Sequence, residues 1–145
     1  MPQQPRTRPI QTAAVGYQSL PQSLREDETL FAALAERLGD ESGTAVEGCS
    51  FRLVEVLLSE LKRYIVDDLT QYLDDNDPEA GETDLDRTWT IIKALQQGKA
   101  VAPVVITLND SGEVELLDGY HRVTAHHHAG RTATLAYELI LPESD

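Results

Sequence analysis

Apolar positions along the first half of the chain recur at helical spacing. Leu30, Leu34 and Leu38 fall on one face, which predicts a helix over residues 24–38, with Gly39 where a C-terminal stop belongs. Residues 40–48 read as a loop with two glycines. Val54, Leu57, Leu58, Leu61 and Ile65 repeat in the same way and predict a second helix, capped by Ser50 and breaking near Tyr64. Asp74-Asp75-Asn76-Asp77-Pro78 predicts a loop. A third helix is expected after Thr83. Asp86 stands three residues on, as in a capping box, although Asp is a weaker partner there than Glu. That helix would bury Leu85, Trp89, Ile92 and Leu95 and stop near Gly98.

The pattern then shortens. Residues 102–108 (APVVITL) are an apolar, β-branched run and predict a buried strand. Asn109-Asp110-Ser111-Gly112 is a turn, and the alternation over 113–117 predicts a second strand closing a hairpin. Residues 118–129 read as a helix ending at Gly130, and 133–141 as a last strand. The order helix, strand, strand, helix, strand makes an α+β domain over residues 66–145. A helical region over 22–65 precedes it. Residues 1–21, rich in Pro, Gln and Thr, read as a flexible arm.

A chain of 145 residues with 41% hydrophobic content supports one domain with a core of its own. Charge adds more. The net charge is −13, and residues 66–86 hold nine acidic side chains and no basic one. Duplex affinity comes largely from Lys and Arg, so non-specific nucleic-acid binding is disfavoured. The plain reading of the acidic block is a solvated loop that keeps the protein soluble. The sharper readings are recruitment of Mg²⁺, supply of a catalytic base, or mimicry of nucleic-acid charge. A single cysteine, Cys49, fits a reducing compartment. No apolar run approaches the roughly 20 residues that span a bilayer, and no secretory leader is recognisable, so a cytoplasmic protein without membrane contact is expected.

The chemistry concentrates where the hairpin's second strand runs into a helix, in residues 116–130, through Asp118-Gly119-Tyr120-His121-Arg122. A helix N-terminus presents unpaired N–H groups and about half a positive charge, and so attracts anions. Gly119 permits a sharp turn and close approach of a ligand. Arg122 offers a planar fork of donors matched to phosphate oxygens. His121 offers a donor that titrates near neutral pH. Asp118 can coordinate a metal, act as a base, or cap the helix. The plainer alternative makes Asp118 an N-cap, His121 a structural imidazole and Arg122 a surface residue. The strand before and the helix after the turn favour the phosphate site. His126-His127-His128 point in different directions on a helix and cannot converge on one ion; imidazoles in a last turn suit the carbonyl end instead. No protein metal site is therefore assigned. Trp89 and the tyrosines read as core, except Tyr120, which can flank a base or ribose or equally pack on the loop.

The stretch P-V-V-I-T-L…V-E-L-L-D-G-Y-H-R-V-T-A-H-H-H-A-G-R-T-A-T-L-A-Y-E-L-I resembles the ParB/sulfiredoxin superfamily over about residues 83–141. The D-G-x-H-R form is closest to the branch with free-serine kinases. The resemblance implies a small mixed sheet with packed helices that binds ATP or ADP with Mg²⁺. It implies that Gly119, His121 and Arg122 contact the nucleotide phosphates and that Asp118 is the acid of the kinase-like branch. The expected nucleotide-binding set is Gly119, Tyr120, His121, Arg122 and Thr124, and the expected catalytic set Asp118, His121 and Arg122. The family's kinases draw a base from a loop ahead of the helix that precedes the hairpin, about where residues 74–82 stand. Sulfiredoxins carry a catalytic Cys where this chain has Tyr120, so sulfinic acid reduction is not expected. Partitioning proteins continue into a helix-turn-helix and a dimer domain, which residues 1–145 do not contain. Small plasmid proteins that suppress conjugation are similar in length and join the fold to nucleotide hydrolysis and nuclease activity.

Three functions follow in order of preference. The first is phosphotransfer or hydrolysis with a nucleotide. The second is a non-catalytic interaction or inhibitor protein, for example a plasmid fertility-inhibition factor, binding its partner through the N-terminal helices. The third is a metal-dependent nuclease, against which the acidic charge weighs.

Overall fold

The computed structural model describes residues 7–10, 13–39, 46, 48–66, 84–109 and 111–140. Among them, six strands form one mixed sheet: β1 (Thr7–Pro9), β2 (Val15–Gly16), β3 (Ser50–Leu57), β4 (Val104–Leu108), β5 (Val114–Asp118) and β6 (Ala133–Ile140). Their order is β1-β3-β6-β4-β5, with β2 beside β3. The described helices are α1 (Gln22–Arg25), α2 (Glu28–Leu38), α3 (Asp84–Gln96) and α4 (Tyr120–His128), joined by 3-10 segments at Tyr17–Ser19 and Leu58–Tyr64. The architecture is α+β.

β4 and β5 are the expected hairpin. Asn109 closes it: its side-chain Oδ1 accepts from the Ser111 and Glu113 N–H groups at 2.9 Å each. A register shift between Val105 and Ile106 bulges the pair just before β5 reaches Asp118, and it re-aims the strand end. β6 lies parallel to β4 and antiparallel to β3, so it stitches the hairpin to the N-terminal strands.

Core residues lie on both faces of the sheet. α1 and α2 cover one face, where Leu24, Leu30, Leu34, Phe51 and Val105 form a core with Leu139. The Leu58–Tyr64 segment and α4 cover the other, where Val54, Val56, Leu61, Ile106, Leu116 and Val123 meet. α3 packs on the outer side of α4 through Ile92, Leu95 and Ala125. The apolar stripe of α2 is thus spent on the sheet, with Leu30 and Leu34 fully buried.

Four expectations need correction. The helix expected at Val54, Leu57, Leu58, Leu61 and Ile65 is a strand followed by a 3-10 segment. Eight residues of β3 pair in register with β6, and that long-range pairing overrides local spacing. The single helix over 24–38 is two helices, because Asp27 ends one and starts the next. Its Oδ1 accepts from the Thr29 and Leu30 N–H groups at 2.9 and 3.2 Å, the geometry of an N-cap worth about 1 kcal/mol. The arm expected over 1–21 contributes β1 and β2 to the sheet and places Tyr17 and Leu20 in the core. Trp89, expected in the core, is 46% exposed, because α3 turns Ile92 and Leu95 inward instead. Gly39 ends α2 in the left-handed conformation at φ 69°, as expected of a stop. The Thr83/Asp86 cap, the Leu85 side chain and almost all of the acidic block lie outside the described residues.

Phe51→Ala is expected to lower unfolding stability by about 3–5 kcal/mol, and Trp89→Ala by less than about 1 kcal/mol. Urea denaturation of the two variants checks both placements; a Trp89 variant as unstable as the Phe51 variant would contradict them.

Candidate functional site

The site begins with a backbone constraint. β5 ends at Asp118 and α4 starts at Tyr120, leaving Gly119 alone to turn the chain. It does so with φ +107°, a conformation that costs an L side chain energy. A Cβ on Gly119 would also stand 2.6 Å from Val104 Cγ1 and 3.1 Å from Arg122 Nε. Glycine is required there on both counts, and it lets the start of α4 sit directly against β4.

Gly119 is the N-cap residue of α4 and has no side chain with which to cap it. The start of α4 carries the positive end of the helix dipole, which attracts anions. Asp118 is engaged elsewhere. Arg122 Nη2 donates to Asp118 Oδ2 at 3.0 Å, with both side chains largely buried, at 17% and 11% exposure. Arg122 Nε is buried and has no acceptor among the described residues. An unsatisfied buried donor is costly, and an anion's oxygen would satisfy this one.

Asp118 also faces a second acid. The Asp27 carboxyl, at the start of α2, lines the same cavity and acts on Asp118. Burial first, and then Asp27, push the Asp118 carboxyl up to about 6 against the opposing pull of Arg122. The two acids therefore do not share the fully charged state easily.

These groups surround one cavity of about 580 Å³. Asp118, Gly119, Tyr120, His121 and Arg122 form one side of it, Asp27 and Thr29 of α2 a second, and Arg87 and Thr90 of α3 a third. The structure thus brings together all five residues of the turn. Thr124, grouped with them from the sequence, does not line this cavity. It is buried, and its Oγ1 accepts from the Val66 N–H at 3.1 Å. Tyr120 is 46% exposed at the cavity's rim; its ring meets Tyr64 edge-on at 5.7 Å and its hydroxyl donates to the Leu116 carbonyl.

The three consecutive histidines diverge. His126 Nε2 meets Thr134 Oγ1 at 3.2 Å, and burial, then Arg131 and Arg122, lower its pKa. His128 Nε2 contacts the Val66 carbonyl at 2.8 Å, and His127 is exposed beside it. Thr124 and His128, one turn apart on α4, therefore hold both backbone polar groups of Val66. Cys49 is buried and its thiol is pushed up to about 11, mainly by desolvation, which keeps it unreactive.

Asp27, Thr29, Arg87 and Thr90 are the site residues that sequence reasoning missed. For Asp27 a signal exists: an Asp followed by Glu28 and Thr29 is a helix-start composition, hidden inside an unbroken apolar period. Arg87 is the first cation after the acidic block, and only the packing of α3 shows which way it faces.

Because the Asp118 pKa of about 6 lies above the ordinary 3.8, the folded chain holds this proton longer than the unfolded chain. The carboxyl's contribution to stability is complete below pH 3.8 and is lost as pH rises through about 6. Asp118→Asn is expected to flatten that decline and to be more stable than wild type at pH 7.5, by on the order of 2 kcal/mol. Urea titrations at pH 4.5 and 7.5 measure this; a variant that loses stability across the range as steeply as wild type would refute the assignment. No protein-family model, curated protein or solved structure matches the chain, so the site is read from its own geometry.

Proposed function

We propose that this chain binds the phosphates of a nucleotide, ATP or ADP accompanied by Mg²⁺, at the start of α4, and transfers or hydrolyses the terminal phosphate. The observation that carries the reading is a convergence. A helix N-terminus whose N-cap residue has no side chain, a positive φ that only glycine adopts without strain, and a guanidinium whose buried Nε–H has no acceptor among the described residues meet on one cavity. The cavity's volume lies within the range of about 300–1,000 Å³ that small-molecule sites occupy. Each of the three features recognises an anion by a different physical route: dipole, close backbone approach, and a charged fork.

In this reading Gly119, Tyr120, His121 and Arg122 hold the phosphate chain, with Tyr120 flanking the base or ribose at the rim. Arg122 stabilises the charge that develops on the transferring phosphoryl group, and the Asp118 carboxyl holds a proton beside it. No group of three or more His, Cys, Asp or Glu among the described residues is arranged to hold a metal ion. In this reading Mg²⁺ arrives on the phosphate oxygens, as it does in many nucleotide sites, and neutralises charge there. The D-G-x-H-R turn between strand and helix supports a ParB/sulfiredoxin-like fold for this part of the chain. The acceptor's base, if drawn from residues 74–82, lies outside the described residues.

A second reading, a partner-binding protein, has one observation in its favour. The β3–β6 register puts Leu57 and Leu135 on the same face of the sheet, and they are 53% and 43% exposed. The partner surface would then be this end of the sheet rather than the N-terminal helices, whose apolar residues already face the core.

Thermal denaturation with ATP, ADP, CTP and GTP, with and without Mg²⁺, separates the two. A nucleotide at about a hundred times its dissociation constant should add about 2.7 kcal/mol. Arg122→Ala should lose that gain and any phosphate release with it. No stabilisation by any nucleotide would overturn the first reading and favour the second.

A further inference from the structure

Resting on the phosphate reading above, the geometry points to Asp27 as a residue of the same site: we propose that Asp27 and Asp118 hold one proton between them when a tetrahedral dianion occupies the cavity, so that binding takes up a proton.

The argument starts from charge. Both carboxyls line the cavity beside the start of α4. Two ionised acids there would repel a phosphate dianion, and the helix start together with Arg122 would have to overcome them. One shared proton changes the balance. The pair then carries a single negative charge, which Arg122 offsets through its 3.0 Å contact with Asp118. A protonated carboxyl is also a donor, so it can point an O–H at a phosphate oxygen where the carboxylate could only repel it.

The surroundings decide where the proton resides. Asp118 is 8% exposed, whereas Asp27 sits at the start of α2 with its Oδ1 committed to the Thr29 and Leu30 N–H groups. Asp118 is the carboxyl that burial pushes up, so the proton belongs there. Burial and Asp27 already lift Asp118 to about 6 in the ligand-free chain. A dianion would lift it further, because added negative charge always favours the protonated carboxyl. Among the described residues the other charged or titratable groups at this point are Arg122, Tyr120 and His121 on α4 and Arg87 on α3. Of these side-chain types only histidine is a general pH switch near neutrality, so His121 is the rival source of acid-favoured binding.

The inference has a structural consequence. Residues 22–38 lie far in sequence from the turn, yet through Asp27 they set the pH at which it binds. The N-terminal helices become part of the site as well as part of the core.

Sulfate tests this, because it has the shape and charge of phosphate and does not titrate between pH 6 and 8. Its affinity for the full chain is measured by calorimetry at several pH values in that range, for wild type, Asp27→Asn and His121→Gln. Asn also caps helices, so Asp27→Asn keeps the start of α2 while removing the second acid. Wild-type affinity is expected to fall by up to about tenfold per pH unit above 6. His121→Gln should bind more weakly and keep that slope. Asp27→Asn should bind with little pH dependence, because its amide donates to an ionised Asp118. A flat wild-type profile, or a slope that survives Asp27→Asn and disappears in His121→Gln, overturns the proton sharing while leaving the phosphate site in place. No binding of sulfate or ATP at any pH overturns both.

Discussion

At Gly119 the chain leaves a strand and enters a helix in a single residue, at φ +107° and with the Val104 side chain directly beneath. The contiguous part of the site follows from that one turn. It brings the first turn of α4 against β4, puts a residue without a side chain at the helix's N-cap, and folds Arg122 back over Asp118. A side chain at this position would need both a strained backbone and a displaced β4. The bulge at Val105/Ile106 prepares the turn by re-aiming the end of β5, so the hairpin and the helix start are one unit.

The N-terminal half is built onto this unit by long-range pairing. β3 aligns along the full length of β6, and that register fixes where α1 and α2 lie on the sheet. The same packing delivers the start of α2, with Asp27, to the far wall of the cavity. On the opposite side, Tyr64 against Tyr120 and Val66 against Thr124 and His128 seat the chain along α4 just before the acidic block begins. α4 is therefore gripped on several sides. A rigid helix start is what an anion site requires, since donors held in place do not lose ordering entropy when the ligand arrives.

The second half of the fold was legible because its signals are local. Val104, Val105 and Ile106 are β-branched and continuous, Asn109 and Gly112 make a turn, and Gly130 follows the last helical residues. The first half was less so. Val54, Leu57, Leu58, Leu61 and Ile65 match a helical period, but the match is a composite. Val54 and Val56 face the core from a strand, and Leu58 and Leu61 face it from the 3-10 segment that follows. The partner that makes β3 a strand is β6, about eighty residues away, and local spacing carries no trace of it. The site divides in the same way. Asp118–Arg122 stood out as a contiguous turn, whereas Asp27 and Arg87 joined it only through packing. Thr124 shows the reverse: it stands near the turn in sequence, and the fold uses its hydroxyl to hold Val66.

The central claim is that the start of α4 grips a phosphate, and the backbone amides there report on it directly. A titration of ¹⁵N-labelled protein with ATP and Mg²⁺ should shift the Gly119, Tyr120, His121 and Arg122 amides first and most, with saturation at one equivalent. The account is contradicted if those four resonances stay in place while the nucleotide binds elsewhere, or if no amide in the protein responds.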